Sequence, residues 1–314
     1  MVALTSTPMA LPRPAAECTL TSIGRPVAWA TWANTIRGEM IRLLRNFLRI
    51  DVTALACDFA AFDAGADVAF YRLGETRIAV EILGQSGPVV VFVSGLGEGI
   101  TAWDPVSRVL SGCARVILYD RPGIGRSSSR TGTSALLANA AVAELAGLLG
   151  AIGASPPYVM VGHSLGGFYV QAFARNRPRD VAAVVLVDSS SPFEPPGVFV
   201  PTPTPAPASV AAIEHAGFRP SVAAMLAGPP FPPVPLVVLV ATNHGVTPER
   251  EMLWRKVQVE VAALSPKSLL TLVDGAGHYI QSDRPQAVVD AVVLAAREAG
   301  ANMSECRTAN SVAK

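Results

Sequence analysis

Gly162-His163-Ser164-Leu165-Gly166-Gly167 stands where an apolar run, Pro157 to Val161, gives way to the helix-forming stretch Phe168 to Ala174. A strand that becomes a helix within one residue forces that residue toward positive φ. It also brings the two elements so close that neighbouring side chains would collide, so Gly162 and Gly166 are what such a turn requires. Ser164 then lies at a helix N-terminus, where unpaired N–H groups and the helix dipole favour negative charge. The stretch therefore predicts an exposed serine hydroxyl in surroundings suited to an oxyanion.

From Asp67 onward, apolar β-branched runs alternate with helical patterns. Val68 to Tyr71 and Thr76 to Ile82 flank Gly74-Glu75 and predict a hairpin. Val89 to Val93, Arg115 to Tyr119, Tyr158 to Val161, Val181 to Val187, Leu236 to Val240 and Leu269 to Val273 predict buried strands. Ala135 to Leu149, Leu165 to Arg175 and Pro285 to Ala299 have helical length and spacing. Strands apolar on both faces and separated by helices imply an α/β fold, with a mostly parallel central sheet covered on both sides. In such sheets ligands bind at the carboxyl ends of the strands.

The chemistry-bearing residues fall at those ends. Val89 to Val93 runs into Ser94-Gly95-Leu96-Gly97-Glu98-Gly99, a loop open enough to bring a backbone N–H near a substrate oxygen. Val187 is followed by Asp188, and Val273 by Asp274-Gly275-Ala276-Gly277-His278. Serine, acid and histidine occur in the order Ser164, Asp188, His278. That order is one of the known arrangements of a nucleophile, its base and the acid that orients the base.

The chain resembles the α/β-hydrolase superfamily, and the likeness extends from about Asp67 to Gly300. It rests on the turn at 162–167, on Ser94 to Gly97, on Tyr119-Asp120-Arg121-Pro122-Gly123-Ile124-Gly125-Arg126-Ser127, and on Gly277-His278. The resemblance implies Ser164 as nucleophile and His278 as general base, with the amides of Leu165 and Leu96 as the oxyanion hole. Many members have His-Gly where this chain has Ser94-Gly95. Members commonly carry the acid after the strand that follows the lid, yet Ala241 to Glu249 contains no aspartate. Others place it after the strand beside the nucleophile strand, so Asp188 is the favoured acid and Glu249 its rival.

An Asx-turn role for Asp188 before Ser189-Ser190-Ser191 stands beside the catalytic one. His163 reads as a packed neighbour of the turn, and Asp274 as a loop cap. His215 and His244 are expected in solvent. Asp120 and Arg121 are expected to hold their turn through hydrogen bonds and a local ion pair, while Trp103 fits either the core or the pocket wall. Gly123-x-Gly125 lacks the spacing of a dinucleotide site, so no cofactor is expected.

Charge narrows the partners. Of the 314 residues, 25 are Lys or Arg and 24 Asp or Glu, and a net charge of +1 gives no electrostatic footprint for nucleic acid. Cys18, Cys57, Cys113 and Cys306 are scattered without C-x-x-C spacing, so they suggest neither a metal site nor a disulfide framework, and a reducing, cytoplasmic location is expected.

Residues 189–233, with Pro201, Pro203, Pro205 and Pro207, interrupt the alternation where these hydrolases insert a lid. The prolines predict extended chain, with short helices at Ala211 to Gly217 and Ser221 to Leu226, and Phe193, Phe199, Phe218 and Phe231 to face an acyl group. Residues 1–66 form an extension in which 36–50 reads as an amphipathic basic helix, packed on the core or in peripheral contact with an anionic membrane. Residues 301–314 read as a frayed tail, and the oligomeric state is left open.

The expectation is a metal-free esterase acting on a neutral, fairly hydrophobic carboxylic ester through an acyl-enzyme on Ser164. Lactonase, thioesterase and C–C hydrolase activities fit the same residues. A lyase using Ser164 and His278, or a non-catalytic ligand-binding receptor, stands as the reading from another class.

Overall fold

The computed structural model describes residues 68–304 and 306, except 131, 133, 200 and 202. The extension at 1–66, the helix expected at 36–50, Cys18, Cys57 and the chain beyond 306 lie outside the described residues.

The β-branched runs form one sheet because such side chains fill a pleated surface well. Its strands are β1 (Ala69–Leu73), β2 (Thr76–Leu83), β3 (Val89–Val93), β4 (Arg115–Tyr119), β5 (Tyr158–His163), β6 (Val181–Val187), β7 (Leu236–Ala241) and β8 (Ser268–Val273). Their spatial order is β1-β2-β4-β3-β5-β6-β7-β8. β1 and β2 form the expected hairpin, β2 runs antiparallel to β4, and the remaining neighbours are parallel.

Parallel neighbours need a crossover rather than a tight turn, and helices fill that role. They are α1 (Asp104–Leu110), α2 (Ala138–Ile152), α3 (Leu165–Asn176), α4 (Val210–Ala227), α5 (Pro248–Ala262), the single turn α6 (Ile280–Asp283) and α7 (Pro285–Glu298). Because strand side chains alternate between faces, β3 contributes Val91 and Val93 to one core and Val90 and Phe92 to the other. The first core is closed by α2 and α3 through Leu145, Leu148, Phe168 and Phe173. The second is closed by α1 and α7 through Val106, Leu110, Val288 and Val292.

Two expectations are corrected here. The segment after β6 holds one 18-residue helix, α4, in place of two short ones. Ser209 caps it by accepting from Ala212 N at 3.1 Å, and Pro220 lies on its exposed side. The carbonyl of Ala216, deprived of its helical donor by that proline, is on an exposed residue as well, so the break in the hydrogen-bond ladder costs little. Pro201, Pro203, Pro205 and Pro207 all precede the helix, in irregular chain.

Cys113 and Cys306 form a disulfide across a separation of 193 residues, although the cysteine spacing suggests no disulfide framework. Spacing along the chain carries no signal for such a pair, because the fold of the second core brings the two together. Disulfides persist in oxidising surroundings, so the case for a reducing compartment loses its basis. No helix among the described residues is long and apolar enough to cross a membrane.

Reduction of the Cys113–Cys306 bond is expected to lower unfolding stability by about 2–4 kcal/mol. Urea denaturation with and without dithiothreitol measures this. A Cys306→Ser variant should already be weakened and should no longer respond to the reductant.

Candidate active site

β5 ends at His163 and α3 begins at Leu165, which leaves Ser164 alone to make the turn at φ 49° and ψ −123°. A side chain is rarely held there, and only tight packing on both sides maintains it. The glycines show how tight: a Cβ on Gly162 would lie 2.6 Å from the Gly167 Cα. One on Gly166 would strike the Val93 carbonyl oxygen, and one on Gly167 the Ser189 hydroxyl.

The structure brings Ser164, His278 and Asp188 into one line. Ser164 Oγ lies 3.0 Å from His278 Nε2, and His278 Nδ1 lies 2.7 Å from Asp188 Oδ2. Asp188, directly after β6, is fully buried and also takes a positive φ, of 43°. A buried carboxylate needs donors around it. Oδ1 accepts from Ala241 N at 3.0 Å and Trp254 Nε1 at 2.8 Å, while Oδ2 accepts from His278 and from His244 Nε2, the latter at 2.7 Å. Burial acts to raise the Asp188 pKa, but the hydrogen bonds from His244 and His278 outweigh it and hold the carboxyl far below the usual carboxylate range.

Glu249 is not brought to this line. It sits in the first turn of α5, exposed, and makes no hydrogen bond to His278. His244, expected in solvent, is instead half-buried between Asp188 and Glu251. The contribution of α5 is absent from the sequence expectations, although Thr247-Pro248 marks a helix start and Trp254, Val257 and Val261 share one helical face. Trp254 packs edge-on against the His278 ring, with centroids 6.4 Å apart.

The loop expected to supply part of an oxyanion hole is Ser94 to Glu98. The amides of Leu96 and Leu165 have no acceptor among the described residues. Ser94 donates from its hydroxyl to the Gly99 carbonyl and accepts from Trp103 Nε1, so it braces the loop from within. Trp103 itself is wholly buried and belongs to the core.

Arg121 does not form the expected local ion pair with Asp120. It donates to the Ser94 and Gly95 carbonyls at 2.6 Å each and pairs with Glu214 of α4 at 2.6 Å. Asp120 accepts from the amides of Ile100 and Arg126. Glu214 also accepts from Gly97 N at 3.1 Å, so the helix of the insertion is tied to the loop that carries Leu96.

His163 is packed as expected, at 1% exposure. Its Nε2 donates to the His278 carbonyl at 2.9 Å and its Nδ1 meets Glu98 Oε2 at 3.0 Å. Burial opposes charge on Glu98, but the hydrogen bond and charge of His163, the Gly95 amide and the charge of His278 together outweigh it and leave the carboxyl below its ordinary value.

The surroundings of the line are largely aromatic and apolar. Phe199 packs on Trp254 with centroids 4.8 Å apart, and Phe218 packs on Phe168 at 4.6 Å. Phe231 is buried in the core and Phe193 partly so. Tyr279, half exposed, stands against His278 at 5.5 Å. Glu194 is buried, and that burial pushes its carboxyl up to about 7. Asp188, His244 and His278 are the cluster of metal-ligand type among the described residues, but the atoms that could bind an ion are engaged with one another in hydrogen bonds.

A family model described as alpha/beta hydrolase fold matches residues 88–211. Over 136 residues the chain is 37% identical to a 2-hydroxy-6-oxononadienedioate/2-hydroxy-6-oxononatrienedioate hydrolase of Burkholderia vietnamiensis, covering 41% of this chain and 45% of that protein. Over 105 residues it is 33% identical to the uncharacterized protein YqjL of Bacillus subtilis, covering 33% of this chain and 41% of that one. The chain thus spans less than half the length of these curated relatives. A thermophilic esterase from Thermogutta terrifontis superposes with a TM-score of 0.59 at 22% identity, over 74% of this chain and 99% of the esterase, a likeness of fold.

Removing one member of a buried ion pair leaves the other charge uncompensated. Glu214→Ala is therefore expected to cost about 3–5 kcal/mol of stability, read from the urea midpoint. A midpoint within experimental error of the wild type would contradict the anchoring role of this pair.

Proposed function

Because the chain belongs to the α/β-hydrolase superfamily, we propose that it is a serine hydrolase cleaving a neutral, fairly hydrophobic carboxylic ester through an acyl-enzyme on Ser164. The observation that carries this reading is the unbroken line from Ser164 Oγ through His278 to Asp188, at 3.0 and 2.7 Å.

His278 Nε2 takes the hydroxyl proton as Ser164 Oγ attacks the ester carbonyl carbon. The carbonyl oxygen becomes an oxyanion facing the amides of Leu96 and Leu165, which need not reorganise to receive it. His278 then returns the proton to the departing alkoxide, and the carbon–oxygen bond breaks to leave the acyl-enzyme. Water attacks that ester, giving its proton to His278, and the collapse of the second intermediate frees the acid and restores Ser164. Asp188 keeps Nδ1 protonated throughout and stabilises the transient imidazolium.

The aromatic side chains around His278 support an apolar acyl or alkyl group. A ligand-binding role without turnover drew its support from the missing acid after β7, and Asp188 reaching His278 from β6 weakens that support. Lactone, thioester and C–C substrates would use the same residues.

The test is hydrolysis of p-nitrophenyl esters of increasing acyl length. Ser164→Ala is expected to reduce kcat by at least about 10⁴-fold, Asp188→Asn by roughly 10³–10⁴-fold, and Glu249→Gln by less than about 2-fold. A folded wild type that neither turns over any ester nor is labelled by an organophosphonate would sink the proposal.

A further inference from the structure

His244 lies in the loop after β7, the position from which related hydrolases commonly supply the acid. Its Nε2 meets Asp188 Oδ2 at 2.7 Å, on the same oxygen that accepts from His278. Its Nδ1 meets Glu251 Oε2 at 2.9 Å, and Glu251 Oε1 accepts from the His244 amide at 2.7 Å. Glu251 belongs to the first turn of α5, where the helix dipole favours a carboxylate. Ionised carboxylates only accept hydrogen bonds, so an imidazole that bonds to one through each nitrogen must carry a proton on both.

We infer that His244, held as an imidazolium by Glu251, is a positioning residue for the hydrolytic site: it fixes the Asp188 oxygen that orients His278. The inference rests on the acyl-enzyme reading for its effect on rate, but not for the protonation state of His244.

The groups facing His244 are Asp188 after β6, Glu251 and the Trp254 indole from α5, and His278 from the loop after β8, whose ring centroid is 6.2 Å away. Burial opposes the charge on His244. The hydrogen bonds and charges of Asp188 and then Glu251 outweigh it, raising the pKa to about 9. The charge is accordingly kept below about pH 9 and lost above it. Once neutral, His244 can donate to one carboxylate only, and its bare nitrogen then faces an oxygen lone pair of the other. Where that oxygen is Asp188 Oδ2, the carboxylate is pushed from the geometry that holds His278.

A device of this kind acts on the chemical step and leaves substrate binding alone, so kcat falls while KM stays. His244→Gln is expected to lower kcat roughly 10- to 100-fold, by analogy with hydrogen-bond partners that orient metal-ligating side chains, with KM within about 2-fold. The wild-type kcat profile should show an alkaline limb near pH 9, and His244→Gln should abolish it. Glu251→Gln keeps His244 but removes one of its two anions, and should move that limb down by about 1–2 pH units.

The measurement that does not depend on turnover is ¹⁵N–¹H long-range NMR of histidine side chains in Ser164→Ala, assigned by comparison with the His244→Gln, Ser164→Ala double variant. A doubly protonated His244 ring persisting to about pH 9 supports the inference. A ring that titrates near pH 6.5, or alkaline limbs in both variants superimposable on the wild type, overturns it. If the imidazolium is present while no ester is cleaved, the acyl-enzyme reading fails and the protonated clamp on Asp188 remains supported.

Discussion

A carboxylate without solvent is the constraint on which the site depends. Asp188 is fully buried, and water can offer it nothing, so the protein has to surround it with donors. It does so with four: Ala241 N at the end of β7, Trp254 Nε1 from α5, and the His244 and His278 rings on the loops after β7 and β8. Each partner that satisfies Asp188 is thereby positioned by it. The carboxylate is at once the orienting acid of the proposed reaction and the knot that ties together the carboxyl ends of β6, β7 and β8.

A second buried pair does the same for the opposite wall. Arg121 draws the Ser94 and Gly95 carbonyls toward itself, and Glu214 reaches down from α4 to neutralise it while accepting from Gly97 N. The Leu96 amide, which has no acceptor among the described residues, sits in the middle of that arrangement. The insertion between β6 and β7 thus braces the proposed oxyanion wall: it is anchored through a charge pair and through a backbone bond from Leu136 N to the Ile213 carbonyl. Gly217 permits that approach, because a Cβ there would collide with the Leu136 backbone.

Much of this was legible in the chain because short-range rules govern it. The strands are visible as valine-rich runs and α3 as a helix that must follow a glycine-flanked turn. Ser164, Asp188 and His278 each stand directly at the end of a strand or one short turn beyond it. What escaped were partners defined by distance in sequence: Glu214 for Arg121, 93 residues on, and Cys306 for Cys113, 193 residues on. α4 was misread for a different reason. Pro220 separates the two short helices expected there, yet it sits on an exposed helix face where a lost ladder bond is cheap.

The sequence by itself determined the alternation of strand and helix, the strained turn at Ser164 and the chain order of serine, acid and histidine, because periodicity and backbone sterics act over a few residues. Only the tertiary structure decided between Asp188 and Glu249 as the carboxylate facing His278, and only it drew His244 out of solvent into the same cluster. Those choices depend on which loops the parallel sheet sets side by side. Neighbours in such a sheet are separated by whole crossovers, so adjacency in space leaves no mark along the chain.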